Sequence, residues 1–382
     1  MRRSRVVFLW GFSTSTELFR SNLEIVRPLV RRGWRIHLIG SGPKGSPRLT
    51  EPGASATTVW APALPIVGAV VANILAVPHV LKSRPHVIYV GTGFAIAGAL
   101  CALLDRRAII VSDVRSIPVD RGSRGVRVRL NDFMTSLTCK LPRLRGLTAN
   151  TTGQIEALRH GFGLDPAVPV GIWSSAANVE LFHPDVVPVS RASFGIANDA
   201  SVFVYHGVMT VDRGLLTLVE AFAQVHAQEP ATSLLLLGGG PAVFALRERV
   251  AALGITGSVV FVPPVRRQLV PAYLAAADIG VIPLPDLLEW RISSPLKMFE
   301  YLSAGRSIIA SDLPSIAEIL VDEENCLLVD PDSVEQWSTA LGRLEHDAGL
   351  RVRLARGAVE TAGRHTIVGR VGRMLQQVGT AG

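Results

Sequence analysis

The chain has 382 residues, of which 48% are hydrophobic and 18% are charged, and this composition excludes a disordered chain. Its length predicts two domains rather than one. A net charge of +8 favours an anionic partner. Charge alone does not decide whether that partner is a phosphorylated ligand, an anionic bilayer or a nucleic acid.

Short β-branched runs alternate with amphipathic stretches through the first half of the chain. Strands are predicted at 5–10, 35–39, 86–90, 108–112 and 146–150, and helices at 17–32, 94–104 and 124–141. This alternation predicts a parallel sheet with helices on both faces. The first apolar run follows two arginines but is too short for a signal peptide and has no cleavage site, so a strand is expected.

The stretch 52–81 contains no charged side chain. A helix that spans a bilayer needs about 20 apolar residues, and 63–81 approaches that length. Asn73, Pro78 and His79 interrupt the stretch, and a predicted strand follows it directly. We therefore expect a helix that is buried or lies on a bilayer surface.

The alternating pattern restarts after a Pro- and Val-rich stretch that ends near residue 187. Strands are predicted at 201–205, 233–237, 259–262, 279–282 and 308–310, with an amphipathic helix at 214–228. We therefore predict an α/β chain of two doubly wound domains, over 1–186 and 187–364. Ligands of such sheets bind at the carboxyl ends of the strands.

The block 291–314 carries the clearest chemical signal. Ser294 is a favourable N-cap, Pro295 a favourable first helical residue, and Gly305 ends the helix. Lys297 and Glu300 then share a face. A helix N-terminus with a nearby lysine suits a diphosphate, and the carboxylate suits sugar hydroxyls. The alternative is a capped surface helix with an ordinary ion pair, and spacing alone does not decide between them.

Two glycine-containing loops follow predicted strands. In the loop 206–214, Gly207 permits close approach of a ligand, and Arg213 can bind a phosphate with two hydrogen bonds. In the loop 237–241, three glycines permit contact with a nucleotide. The alternatives are a plain loop for the first and a tight turn for the second.

Five blocks in the second half occur in a characteristic order: HGVMTVDRGLLTLVEAF, LLLLGGGP, LVPAYLAAADIGVIP, SPLKMFEYLSAG and ASDLPSIAEIL. Together they resemble the carboxyl half of glycosyltransferase family 4, which comprises retaining enzymes of the GT-B fold that use nucleotide sugars. The resemblance covers residues 200–360 closely and the amino half loosely.

The resemblance implies two Rossmann-like domains that face a cleft. Residues 1–186 would bind the acceptor, 187–364 the nucleotide sugar, and a helix at 365–382 would pack back on the first domain. Arg213 and Lys297 would hold the diphosphate, and Glu300, the second Glu of the family's E-x7-E motif, the ribose. The implied donor-binding residues are Gly207, Gly239, Gly240, Val265, Ser293, Ser294, Pro295 and Leu296.

Two positions depart from the family pattern. The first Glu of E-x7-E is replaced by Ile292, which puts sugar selectivity in doubt, and an expected Arg is replaced by Val208, which removes a phosphate contact. In the amino half, Gly11, Phe12 and Ser13 would form a cleft loop. Asp113 would contact the transferred sugar, with a cap of the next segment as the alternative.

The expected function is transfer of a sugar, with retention, to an envelope polysaccharide, glycolipid or lipid-linked acceptor. No metal or cofactor is expected, because the sequence has no carboxylate cluster. Scattered cysteines favour the cytoplasm. The basic amino half favours the inner face of an anionic membrane, or is simply a solvated face.

Alternative functions remain at this stage. A GT-B-fold partner protein without activity and a nucleotide-sugar epimerase are both compatible with the pattern. A dehydrogenase is disfavoured, since no G-x-G-x-x-G follows the first strand. Nucleic-acid binding is disfavoured because no aromatic platform or reading helix is evident.

Overall fold

The computed structural model describes residues 5–13, 26–27, 29–42, 52–62, 64–117, 125–172, 175–366 and 369. They divide into two compact units, the first containing the described residues up to Ile172 and the second running from Ser175 to Thr366. The crossover helix predicted at 365–382 lies almost entirely outside the described residues and stays a prediction.

The first unit contains a parallel sheet of seven strands, in the order β3-β2-β1-β4-β5-β6-β7. The strands are β1 (Arg5–Ser13), β2 (Arg35–Gly42), β3 (Ala54–Trp60), β4 (Val87–Gly91), β5 (Ile109–Val114), β6 (Leu144–Ala149) and β7 (Val170–Ile172). All of β4 is buried, as a central parallel strand covered on both faces requires.

Four helices of the first unit lie within the described ranges. They are α1 (Pro65–Ser83), α2 (Ala95–Leu104), α3 (Val126–Cys139) and α4 (Thr152–Phe162), and shorter helical pieces lie at 26–27 and 29–31. Helices α1 and α2 pack against each other, as do α2 and α3. The helix predicted at 17–32 falls largely on residues outside the described ranges.

The uncharged stretch 52–81 forms a strand followed by a helix. Sequence reasoning missed β3, whose side chains are mostly half-buried at the sheet edge. Within α1, Ala72, Ala76 and Val80 are buried in the core of the unit. Among the described residues, one helical segment, Ile66–Ser83, is long and apolar enough to cross a membrane, and a third of it (33%) is buried inside the unit.

The second unit contains a parallel sheet of six strands, in the order β10-β9-β8-β11-β12-β13. The strands are β8 (Ser201–Val208), β9 (Thr232–Gly239), β10 (Val259–Val262), β11 (Ile279–Ile282), β12 (Ser307–Ser311) and β13 (Leu327–Val329). Two parallel sheets in an α/β chain confirm the predicted fold class.

Helices cover the second sheet. They are α5 (Leu215–Gln228), α6 (Val243–Ala252), α7 (Val270–Ala275), α8 (Leu288–Arg291), α9 (Leu296–Ser303), α10 (Pro314–Ala317), α11 (Val334–His346) and α12 (Ala348–Arg364). The apolar stripe predicted on the first of them is buried, because Leu215, Leu218 and Phe222 pack in the sheet core.

The division between the units falls earlier than the predicted boundary at residues 186/187. Ala177 and Phe182 are buried in the hydrophobic core of the second unit, and the backbone N–H of Val189 donates to the carbonyl of Ala272. The segment read as a linker therefore belongs to the second unit. The sequence of this segment shows no helical or strand period because the segment packs on the core without forming a helix or a strand.

Candidate functional site

A pocket of about 220 Å³ opens at the carboxyl ends of β8 and β9. Its lining comprises His206, Gly207, Val208, Leu237, Gly238, Gly239, Pro264, Val265 and Val270. Three residues predicted to bind the donor, Gly207, Gly239 and Val265, are therefore together here. This is the edge at which ligands of open α/β sheets bind.

Two glycines shape the pocket through their backbones. Gly207 has φ +126°, and a Cβ atom there would lie 3.5 Å from Lys297 Nζ. Gly238 has φ +140°, and a Cβ atom there would collide with the carbonyl oxygen of Gly207. Gly240 is also fixed by close packing, against the backbone of Met209. The tight-turn alternative is sufficient to explain Gly240, and its contact with a donor stays a prediction.

The helix α9 carries the two charged residues that the sequence singled out, and it is not a surface helix. Lys297 through Ser303 are all buried. No ion pair joins Lys297 to Glu300 among the described residues, so the alternative of an ordinary surface pair is wrong.

The start of α9 differs from the predicted cap. The helix begins at Leu296, Pro295 occupies the cap position, and no side chain caps it. The Ser294 hydroxyl instead accepts from the backbone N–H of Ser175 at 3.0 Å. The Ser175 hydroxyl donates to the Ser294 carbonyl at 2.8 Å. Ser294 therefore ties this loop to the first residue of the unit, a contact that local sequence cannot reveal.

The residues around this helix start leave backbone donors available. Ser293 uses its hydroxyl to bond the carbonyl of Glu289, so both serine side chains are engaged within the protein. The first turn of a helix has N–H groups with no acceptor inside the helix. Those at Leu296 and Lys297 therefore remain suited to an anion.

The Lys297 amino group is buried, and within the part of the chain that the structure describes its Nζ has no hydrogen-bond partner. Its Nζ lies 3.5 Å from the centre of the Tyr205 ring. Lys297 as a whole is only 8% exposed. Burial, and secondly the charge of Arg213, lower the pKa of Lys297 well below its ordinary value, although Glu300 opposes them. An anion beside Nζ would favour the protonated form of this lysine.

Arg213 lies close to Lys297, and its guanidinium contacts the ring of an aromatic side chain. Its guanidinium carbon lies 4.1 Å from the centre of the Trp290 ring, and Trp290 Nε1 donates to the carbonyl of Asp212 at 2.8 Å. The Arg213 Nε atom is buried and makes no hydrogen bond to any residue in the described ranges. Trp290 thus fixes both the loop and its cation, a role that the sequence reasoning did not assign.

Glu300 is buried between two partners. Arg267 Nη1 lies 2.8 Å from Oε1 and His206 Nε2 lies 3.1 Å from Oε2. Burial alone would raise the pKa of Glu300, but His206 and Arg267 outweigh it, so the pKa lies below its ordinary value. Both carboxylate oxygens are engaged, so a ribose would share or exchange these contacts. Sequence reasoning missed Arg267, whose only signal was its place after β10.

Of the two departures from the family pattern, the structure places one in the pocket lining. Val208 lines the pocket and is 56% exposed. Ile292 is half-buried directly after the short helix α8. Neither position offers a charged group to a ligand.

In the first unit, Asp113 is not presented to solvent. Its Oδ1 accepts from Thr148 Oγ1 at 2.7 Å and its Oδ2 from Arg115 Nε at 2.7 Å. Thr148 also bonds the Tyr89 hydroxyl, and Arg115 reaches Asn150 Oδ1 at 3.3 Å. Asp113 is thus the centre of a buried network across β4, β5 and β6. Both carboxylate oxygens therefore have partners within the unit, and the expected contact with the transferred sugar stays a prediction.

The predicted cleft loop is described only in its backbone. Gly11, Phe12 and Ser13 continue β1, and the pairing register with β2 shifts before Ser13. Their side chains lie outside the described ranges, so their role as a cleft loop stays a prediction.

Among the described residues, one group could hold a metal ion: Glu229, Glu345 and His346, whose ligand atoms lie within 4.8 Å of one another. They lie where α5 and α11 end, whereas the pocket lies at the carboxyl ends of β8 and β9. This group therefore cannot serve a diphosphate bound in the pocket.

Residues 200–347 match the model of the family described as glycosyl transferases group 1. The D-inositol 3-phosphate glycosyltransferase of Nocardioides sp. is 29% identical over 231 residues, which are 56% of this chain and 49% of the relative. That of Rhodococcus opacus is 28% identical over 234 residues, 58% of this chain and 51% of the relative. The chain thus spans about half the length of these relatives.

Solved structures extend the likeness over both units. Sucrose-phosphate synthase from Thermosynechococcus elongatus has a TM-score of 0.78 at 17% identity and covers 100% of both chains. HepE from Anabaena, solved with UDP and glucose, has a TM-score of 0.75 at 14% identity and covers 99% of this chain and 100% of its own. These glycosyltransferase neighbours confirm the GT-B fold, and the family match confirms the resemblance in the second unit.

Proposed function

We propose that the chain is a retaining glycosyltransferase that uses a nucleotide-diphosphate sugar as donor. The observation that carries the proposal is a pair of buried donor atoms, Lys297 Nζ and Arg213 Nε, for which the described residues supply no hydrogen-bond acceptor. A buried donor without an acceptor costs about 1–3 kcal/mol. A diphosphate in front of α9 would offer acceptors to both and to the free N–H groups of the first turn.

The proposed donor lies across the pocket. Its base would lie against the backbone of Pro264 and Val265, and its ribose would approach Glu300, with Arg267 and His206 keeping that carboxylate ionised. Gly207 lines the pocket and lies beside Lys297, so the proposed diphosphate would approach Nζ past this residue. UDP is the first nucleotide to test, because HepE, which shares the fold, was solved with UDP and glucose.

The proposed reaction needs no protein nucleophile. The departing diphosphate would help to deprotonate the acceptor hydroxyl on the face from which it leaves, which retains the configuration of the sugar. Lys297 and Arg213 would stabilise the charge that builds on the diphosphate. Preorganised donors of this kind contribute about 3 kcal/mol each to lowering a barrier.

We propose that no metal or cofactor takes part. Lys297 and Arg213 supply positive charge at the place where a divalent cation would otherwise neutralise the diphosphate. Transfer should therefore persist in the presence of a chelator such as EDTA.

The proposed acceptor is an envelope polysaccharide, a glycolipid or another lipid-linked molecule, and the proposed location is the cytoplasm at the inner face of the membrane. Support comes from the net charge of +8 and from the apolar helix α1. The relatives named for D-inositol 3-phosphate suggest a phosphorylated small acceptor as the comparison to include in acceptor assays.

A partner protein that keeps the fold without activity is the second candidate. Ile292 and Val208 favour it, because they remove one carboxylate and one cation from the family pattern. The engagement of Glu300 by Arg267 and His206 also favours it.

The test is a calorimetric titration of the whole protein with UDP-, GDP- and ADP-sugars. Arg213→Ala and Glu300→Ala should each weaken binding of one nucleotide class by tenfold or more, on the order of 1.4 kcal/mol. Arg249→Ala is the matched control, since this exposed arginine pairs with Glu220 on the surface. Absence of binding by every nucleotide sugar would favour the inactive partner.

A further inference from the structure

The first unit contains a second cavity, at the edge of its sheet opposite the carboxyl ends of the strands. It has a volume of about 570 Å³. We call it the basic cavity, and its lining is Arg5, Arg35, Arg84, Pro85, His86, Asp105 and Arg107. It lies at the amino ends of the strands, where an α/β sheet does not ordinarily bind its substrate.

The sheet topology brings these cations together. Arg35 begins β2, Arg5 begins β1, His86 precedes β4 and Arg107 precedes β5. These four strands are consecutive neighbours in the sheet. Because parallel strands start at the same edge, residues far apart in the sequence converge there.

The charge of the cavity is strongly positive. Four arginines face a single carboxylate, Asp105, which Arg107 already engages through Nε at 3.2 Å. Among the described residues, neither Arg35 nor Arg84 has a carboxylate within ion-pair distance. Closely spaced guanidinium groups repel one another, and a phosphate that binds two of them with paired hydrogen bonds relieves that repulsion.

An exposed apolar surface continues from the same edge. Helix α1 ends immediately before Arg84, and α2 ends immediately before Asp105. On α2, Leu100, Leu103 and Leu104 are exposed, the last two by 62% and 64%. The outer face of α1 adds Val67, Val70, Ile74 and Leu75, all exposed. Helices α1 and α2 pack together, and each has exposed apolar side chains.

Helix α1 makes hydrogen bonds and core contacts within its unit that argue against a membrane-spanning role. Asn73 is fully buried and donates to the carbonyl of Gly93 at 2.9 Å. Its Oδ1 accepts from the backbone N–H of Ala97, also at 2.9 Å. Extraction of α1 into a membrane would break these bonds and uncover the sheet.

We propose that the basic cavity and the outer faces of α1 and α2 form one surface that docks on an anionic lipid bilayer, with a phosphate-bearing lipid headgroup in the cavity. The exposed leucines and valines insert at the boundary of the acyl chains, and the arginines bind the headgroup phosphates. The proposal rests on the membrane location given under the proposed function, and it supplies the surface and the lipid class.

The test is co-sedimentation of the whole protein with vesicles of phosphatidylglycerol and phosphatidylcholine, compared with vesicles of phosphatidylcholine alone. Arg35→Gln with Arg84→Gln should weaken binding to the anionic vesicles about 30-fold, since each arginine near such a surface contributes about fivefold. Leu103→Ser with Leu104→Ser should weaken it about tenfold. All four side chains are exposed, so folding should be unaffected.

The matched control is Arg353→Gln with Arg356→Gln, which removes the same charge from exposed positions of the second unit. An equal loss of vesicle binding in this control would overturn the proposal. Wild-type protein that does not sediment with anionic vesicles would also overturn it. Donor titration of the same samples keeps the two proposals apart. Nucleotide-sugar binding without vesicle binding contradicts only the docking surface, and the reverse contradicts only the donor site.

Discussion

At the scale of single residues, burial should make the protonation of Lys297 depend on whether the donor is bound. Its pKa is lowered by burial first and by Arg213 second. A diphosphate beside Nζ would favour the ammonium form, so donor binding should take up a proton. We expect donor affinity to fall as pH rises through the lowered pKa, and calorimetry in two buffers of different ionisation enthalpy should report the proton.

Lys297→Met provides the control for this prediction. Between the lowered pKa and 10.5 the unfolded chain binds a proton that the folded chain lacks, so this lysine makes stability rise with pH. The methionine variant should lose both the proton uptake and that slope. A variant that still takes up a proton on donor binding would assign the linkage to another group.

Arg267 acts on the donor site through Glu300, and its removal should be visible in stability. We expect Arg267→Ala to lower the free energy of unfolding by about 2 kcal/mol at neutral pH, because one charged hydrogen bond to a buried carboxylate is lost. The lowered pKa of Glu300 contributes stability above its unfolded pKa of about 4.3, and that contribution is lost as pH falls through the folded pKa.

Denaturant unfolding measured from acid to neutral pH checks this prediction. The difference between wild type and Arg267→Ala should shrink toward acid pH, where Glu300 is protonated in both. Arg266→Ala is exposed and should stay within about 0.5 kcal/mol of wild type. A constant difference across pH would show that the Arg267 contact is structural packing and not an ion pair.

At the scale of elements, the carboxyl end of β8 depends on a backbone conformation that favours glycine. Gly207 has φ +126°, and a Cβ atom there would lie 3.5 Å from Lys297 Nζ and 3.8 Å from the Tyr205 hydroxyl. We expect Gly207→Ala to cost about 1–3 kcal/mol of stability and to weaken donor binding.

Gly254→Ala is the matched control, because Gly254 also has positive φ, at +72°, with no atom within 4 Å of an added Cβ. It should cost about 1 kcal/mol and leave the donor affinity unchanged. Thermal unfolding and donor titration of both variants make the comparison. Equal donor affinities in the two variants would remove Gly207 from the site.

At the scale of the whole molecule, each unit has its own sheet and its own hydrophobic clusters. Units of this kind unfold as separate cooperative blocks, so calorimetric scans should show two transitions. A nucleotide sugar at one hundred times its Kd should stabilise its own block by about 2.7 kcal/mol and raise only that transition. A single transition, raised as a whole by the ligand, would contradict this.

The sequence by itself determined the α/β class, the position of most strands and the block that contains Lys297 and Glu300. Buried parallel strands are apolar runs, amphipathic helices have a period of 3.6 residues, and the motif blocks are contiguous, so all three are visible locally. The strand β3 was not predicted, because its position at the sheet edge leaves it half-buried and its sequence has no strong alternation of apolar and polar residues.

Only the tertiary structure decided what each polar residue touches. Arg267 meets Glu300, Ser294 meets Ser175, and Asp113 meets Thr148, all across long sequence separations. The basic cavity likewise exists only because four parallel strands begin at one edge. Local sequence sets the conformation of each segment, whereas the partners of a side chain depend on which segments the packed core brings together.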